Sequence, residues 1–365
     1  MIKARLLWAD IAKVIAIYGV ILLHSSAPFL VPFIESRHWW IGNTYDSLSR
    51  WCVPLFVMVS GALLLPEAEK TPPKRFLLVH VRRVLVPLLV WSGVYFLYRI
   101  YVRGQALPLY GFLAMIAEKP AYYHLWFVYM LIALYLLAPA ISAFLNHASE
   151  KHVWYIITIW FVWASVLPAL DQLTELRVYF TPDMNDYSPL RLSGYFLLGY
   201  VLKDRRCRRI RGYLTLALAF LLGGAVTVFG TYLSSRSAGK FHPFFYRYFS
   251  INVVMMTVSL FLLIKSIFPA RKEGGPDEEE ENRHTSPRFL REISMSVFGV
   301  YLIHALILDA LRKGLFGFVI DQTRFLGVRL PAWAGVPFFA WAIFVLSLGP
   351  ILLMRRIPKL GNVLA

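Results

Sequence analysis

Apolar stretches separated by short polar ones run the length of the chain. Stretches near the length of about 20 residues that a helix needs to cross a bilayer core fall at 9–31, 46–66, 80–101, 121–141 and 152–170. Five more fall at 188–203, 213–233, 245–268, 290–311 and 332–354, the 188–203 stretch being the shortest. The pattern predicts an all-α chain, a polytopic membrane helix bundle of about ten transmembrane helices. The first stretch has the reach of a secretory signal. Asp10 and Lys13 lie inside its start, and Ala27 is followed by Pro28, so a retained helix is expected. No repeat of 20–50 residues and no soluble segment divides the chain, so 1–365 reads as one membrane domain. The only low-complexity stretch is at 271–288, where glycine, proline and a run of acids cannot bury a core. A flexible cytoplasmic loop is expected there.

Composition fixes the solvent. The chain is 58% apolar and 16% charged, against about 45–50% and about 25% in soluble domains. Its formal charge of +17 would suggest nucleic acid in a soluble protein. Here the basic residues sort by side instead: 23 of the 38 fall in the segments on the N-terminal side and 12 on the other. Lys13, Arg50 and Arg191 fall within spans. That bias sets both termini in the cytoplasm and leaves no call for nucleic acid. The basic cluster at 205–211 then serves as a topology determinant that also meets anionic lipid. Cys52 and Cys207 have neither ligand spacing nor the look of a disulfide pair.

Polar groups inside the spans point to chemistry, because each costs roughly 2.5–3.5 kcal/mol at the bilayer centre and faces the bundle interior. Three of the nine histidines, His24, His124 and His304, lie well within spans. On the first helix, Lys13 and His24 fall about 20° apart on a wheel, with Asp10 within about 60° of both. One polar stripe therefore runs up one face. Lys13 and His24 are about 16 Å apart along the axis, so they mark its two ends rather than a contact. Arg50, His124, Arg191, Asn252 and His304, each from a different helix, share the depth of His24. The default for each alone is an interhelical hydrogen bond or a snorkelling side chain. Their shared level suggests a site reached from both sides. The aromatic runs at 121–127 and 241–249 lie where an interfacial belt is expected. No phosphate-binding loop, GxSxG elbow or metal-ligand set occurs.

Four motifs in order resemble the acyltransferase 3 family of integral-membrane acyltransferases. "DIAKVIAIYGVILLHSS" resembles its first helix, where an arginine, ten residues and a histidine form the signature; Lys13 and His24 keep that spacing. "SRWCVPLFVMVSGALLL" resembles the second-helix motif ending in Ser-Gly. "YYHLWFVYMLIALYLLAPAI" resembles the Leu-Trp-Phe segment, and "SMSVFGVYLIHALIL" the late Tyr-Leu-x-His helix. The likeness runs end to end and is greatest to the short, membrane-only branch that includes the enterobacterial common antigen O-acetyltransferase. Two positions depart from the pattern. Lysine replaces the signature arginine, keeping charge without the planar fork, and His80 stands where an Arg-x-x-Arg ending at Arg83 has its first arginine.

The resemblance implies an O-acyltransferase of the bacterial inner membrane. It would move an acetyl or other short acyl group from acyl-CoA, a donor substrate and not a resident cofactor, to a sugar hydroxyl of a surface glycan or its lipid-linked precursor. His24 is then the general base or the transient acyl carrier at one end of the catalytic stripe, with Lys13 at the other and Asp10 placed three residues earlier to orient that lysine. Lys13, Arg82 and Arg83 neutralise the phosphates of acyl-CoA. Arg50, His124, Trp126, Arg191, Asn252 and His304 are the candidates for binding the acceptor or the developing oxyanion. A rival reading is a transporter or exporter of glycan intermediates. It expects matching halves around a midplane site, which the chain lacks, and no acyl transfer. No metal is implied, and nothing in the sequence fixes an oligomeric state.

Overall fold

The computed structural model describes residues 6–31, 33–106, 112–174, 188–268, 286–357 and 361. Its helices are α1 (Leu7–Ser26), α2 (Arg37–Ser47), α3 (Cys52–Lys70), α4 (Pro73–Tyr101), α5 (Phe112–Glu118) and α6 (Trp126–His147). After these come α7 (Glu150–Phe161), α8 (Leu167–Thr174), α9 (Pro189–Leu202), α10 (Ile210–Ala238) and α11 (Ile251–Ile267). The last two are α12 (Arg288–Arg312) and α13 (Ala332–Arg356). A two-stranded hairpin, β1 (Arg324–Phe325) and β2 (Val328–Arg329), joins α12 to α13. Nine stretches among the described residues are long and apolar enough to cross a membrane, so the chain is a polytopic helical bundle. The tenth expected span, at 188–203, is the 14-residue α9. At about 21 Å it is shorter than a bilayer core, and it is sheathed by protein instead of lipid.

The long helices present leucines outward where lipid would lie: Leu214, Leu218 and Leu222 on α10, and Leu78, Leu89 and Leu97 on α4, are exposed. The central helix is α1, which packs on α3, α11, α12 and α13. Its Ala12, Ala16, Ile17 and Ile21 are almost wholly buried. Asp10 marks one end of the bundle and His24 the other. The tightest seam joins α3 and α9. A Cβ at Gly61 would stand 1.9 Å from the Phe196 carbonyl oxygen, and one at Gly199 1.9 Å from that of Met58. Each glycine admits the other helix's backbone, the small-residue packing that membrane helices use in place of hydrophobic drive. Gly199→Ala must therefore push α9 off α3. A loss of about 1–3 kcal/mol is expected, read as a lower melting temperature in detergent; an unchanged melt would deny that the two backbones touch.

Two features depart from the hydropathy reading. Residues 37–45, which lie between the first two expected spans, fold together with 46 and 47 into α2, whose buried face is polar: Asn43, Asp46 and Ser47 are fully enclosed. The Asn43 amide donates to the Val228 carbonyl at 2.9 Å, and the Tyr246 hydroxyl donates to its Oδ1 at 2.6 Å. An average of hydropathy passes over a helix that buries polar side chains against partners. The acidic loop at 271–288 lies outside the described residues up to 285, but its end belongs to the fold. Ser286 is buried and donates to Asp10.

Candidate active site

Three imidazoles meet at the His24 end. His24 rides the last turn of α1, and His304 sits two turns before the end of α12. His124 is carried by a single 3-10 turn, Tyr123–Leu125, that leads into α6. The His24 and His304 rings are stacked with centroids 5.5 Å apart, and His124 meets His304 edge-on at 5.0 Å. The two deeper rings are held by main-chain carbonyls. Because a carbonyl only accepts, His304 Nδ1 donates to Tyr301 O at 2.6 Å, and His124 Nε2 donates to Leu302 O at 3.3 Å. In the neutral rings the other nitrogens, His304 Nε2 and His124 Nδ1, then carry lone pairs. Both are buried without a hydrogen-bond partner. His24 is less enclosed than either.

Aromatic side chains wall the cluster. Tyr123 meets the His24 ring at 5.0 Å, and Tyr122 stacks on Tyr95 at 4.5 Å. Tyr95 donates to Leu302 O at 2.8 Å, and Tyr301 donates to the His124 carbonyl. The run at 121–127 is thus not a lipid-facing belt alone, since Tyr122 and His124 are buried in the protein. Two guanidinium groups lie within electrostatic reach of His24, those of Arg50 and Arg312. Arg312 Nη2 donates to the carbonyls of His24 and Ser25, each at 3.3 Å. It satisfies oxygens that the end of α1 leaves free. Arg50 pairs with the buried Asp46 and lies 4.1 Å over the Tyr246 ring.

The other expected site residues occupy different places. Arg191 Nη2 donates to Ala164 O at 2.7 Å and its guanidinium lies 4.3 Å over Phe249. Ala164 sits in a π-helical turn, Val162–Val166, so Arg191 braces the joint of α7, α8 and α9. Asn252 donates to the Thr227 hydroxyl at 2.7 Å and to Phe245 O at 2.8 Å. It rivets α11 to α10. Sharing the depth of His24 did not bring these two into the histidine cluster, because depth leaves the direction of a side chain open. Trp126 stacks on Tyr248 at 5.9 Å, beside the cluster.

Along α1, both carboxylate oxygens of Asp10 accept serine hydroxyls, from Ser286 and Ser294, at 2.5 Å. Asp10 thereby pins α12 to α1. Lys13 is half-buried one turn on, and Arg82 and Arg83 are exposed on α4. His80, which replaces the first arginine of the Arg-x-x-Arg, is buried 3.2 Å from Glu67. Sequence reasoning passed over Asp46, Tyr122, Tyr123, Tyr301 and Arg312. Arg312 had one available signal, since it follows His304 by eight residues, about two helical turns along the same helix. Among the described residues no set of three or more histidines, cysteines or acids is arranged to hold a metal ion, and both cysteines are free.

The acyltransferase domain of the acyltransferase 3 family matches residues 6–355. The chain belongs to that family. No curated protein and no solved structure matches it. As a membrane acyltransferase it needs an acyl donor, an acceptor and a group able to move protons between them. The buried histidine cluster is the one place among the described residues where several unsatisfied bases converge.

Proposed function

We propose that this acyltransferase moves an acetyl or other short acyl group from cytoplasmic acyl-CoA to a sugar hydroxyl of a surface polysaccharide or its lipid-linked precursor, in the bacterial inner membrane. The observation that carries the reading is the His24–His304 stack at 5.5 Å, in a chain whose family match covers residues 6–355. His24 is the ring of the three most open to a ligand. It takes the proton of the acceptor hydroxyl as that oxygen attacks the thioester carbonyl. The carbon–oxygen bond forms, the carbon–sulfur bond breaks, and the imidazolium returns its proton to the departing thiolate. The Arg312 and Arg50 guanidinium groups supply positive charge for the developing oxyanion.

Donor binding is assigned to the opposite end. Lys13 lies about 16 Å along α1 from His24, a span that the thin pantetheine arm bridges, with Arg82 and Arg83 meeting the phosphates of the nucleotide. Lys13→Ala is expected to raise the donor KM about tenfold, while Lys13→Arg keeps it or lowers it, because the guanidinium fork grips phosphate in two places. Steady-state kinetics with acetyl-CoA as the varied substrate check this, and an unchanged donor KM in Lys13→Ala would remove the lysine from the donor site. Purified protein in nanodiscs that transfers label from acetyl-CoA to glycolipid sustains the enzymatic reading, and a chain that carries glycolipid across the bilayer without transferring label sinks it.

A further inference from the structure

A second basic site lies at the His24 end, outside the histidine cluster. A cavity of about 480 Å³ opens between the start of α2, the β1–β2 hairpin and the start of α13. Arg37 and His38 line it from α2, Arg324 and Arg329 from the hairpin, and Trp333 from α13. None of the three guanidinium groups makes an ion pair or hydrogen bond among the described residues. All three belong to the 12 basic residues on the side poorer in positive charge, so the topology bias does not account for their gathering.

Two helix N-termini reinforce them. The backbone N–H groups of Arg37 and His38 open α2, and those of Ala332 and Trp333 open α13; such first-turn donors have no intrahelical acceptor. Arginine clusters and helix N-termini share one preferred ligand, the oxygens of a phosphate. Beside them Leu326, Val328 and Trp333 are exposed, an apolar flank fit for hydrocarbon.

We propose that this cavity binds the phosphate or pyrophosphate of a lipid-borne ligand, with its hydrocarbon along Leu326, Val328 and Trp333. The hairpin is tied to the catalytic end: Gln322 Nε2 donates to Ser25 O at 2.7 Å, one residue beyond His24. Resting on the acyl-transfer reading, the ligand is the lipid-linked acceptor, whose phosphate held here delivers the adjoining sugar toward His24. The same chemistry is offered by anionic phospholipid headgroups.

Full-length protein in phosphatidylcholine nanodiscs, titrated with inorganic pyrophosphate in a calorimeter, separates these cases. Wild type is expected to bind, and the double variant Arg324→Gln/Arg329→Gln to bind about tenfold or more weakly with an unchanged melting temperature. Equal affinity in the two proteins, or no binding to wild type, overturns the site. In nanodiscs carrying phosphatidylglycerol, a weakened pyrophosphate affinity assigns the occupant to the bilayer, and an unchanged one to the acceptor; the phosphate site stands in both. Displacement by adenosine 3′,5′-bisphosphate would make it a donor site and overturn the acceptor assignment. Pyrophosphate binding requires no turnover. Its failure leaves acyl transfer untouched, and a failure of acyl transfer leaves this titration readable.

Discussion

His24→Ala is expected to abolish acyl transfer while the protein inserts and accumulates as wild type does. Losing a general base costs about 10²–10⁴-fold in rate. The fold should tolerate the change, because the His24 ring makes no hydrogen bond among the described residues and meets its neighbours through ring contacts with Tyr123 and His304. The bonds from Arg312 run to the main-chain carbonyls of His24 and Ser25 and survive truncation of the side chain. Transfer of labelled acetyl at matched protein levels is the measurement. Wild-type rates in this variant would leave the proposed chemistry without its base.

His304 is expected to be nearly as sensitive, and its variants separate chemistry from packing. Its Nδ1–H is anchored on Tyr301 O, and its Nε2 is buried with no partner beside the His24 stack. Asparagine places an amide donor where Nδ1–H was and has nothing where Nε2 was. His304→Asn should therefore keep the donor KM and lower kcat about a hundredfold, at a smaller cost in melting temperature than full truncation. His304→Ala should lose stability as well, since it leaves the space of a fully buried ring empty. If His304→Asn turns over as wild type does, the imidazole is a packing group and its free nitrogen is without function in catalysis.

Much of this fold is legible in hydropathy, and the reasons for the rest are physical. The long spans announce themselves because lipid rewards apolar length, and α1 forms as one unbroken helix with Asp10 and His24 at its opposite ends. Helix α2 is hidden because Asn43, Asp46 and Ser47 are buried against protein partners. The short α9 satisfies no bilayer-length rule, since α3 shields it. Depth counting brought His24, His124 and His304 to one level, and the structure gathers them. The same counting included Arg191 and Asn252, which serve as joints between helices. A residue's height follows from its position in a span; its azimuth depends on how neighbouring helices rotate, and only packing decides that. Asp10 illustrates the difference, being on the polar stripe of α1 yet bonded to serines at and just before α12.

In the proposed function, His24 drives acyl transfer to a glycan at this end of the bundle. The most direct measurement is mass spectrometry of surface glycans and glycolipids from cells carrying either the wild-type chain or His24→Ala at equal abundance. A species heavier by one acetyl group is expected with wild type and should be absent with His24→Ala. The same acetylated species at the same level in both would contradict it.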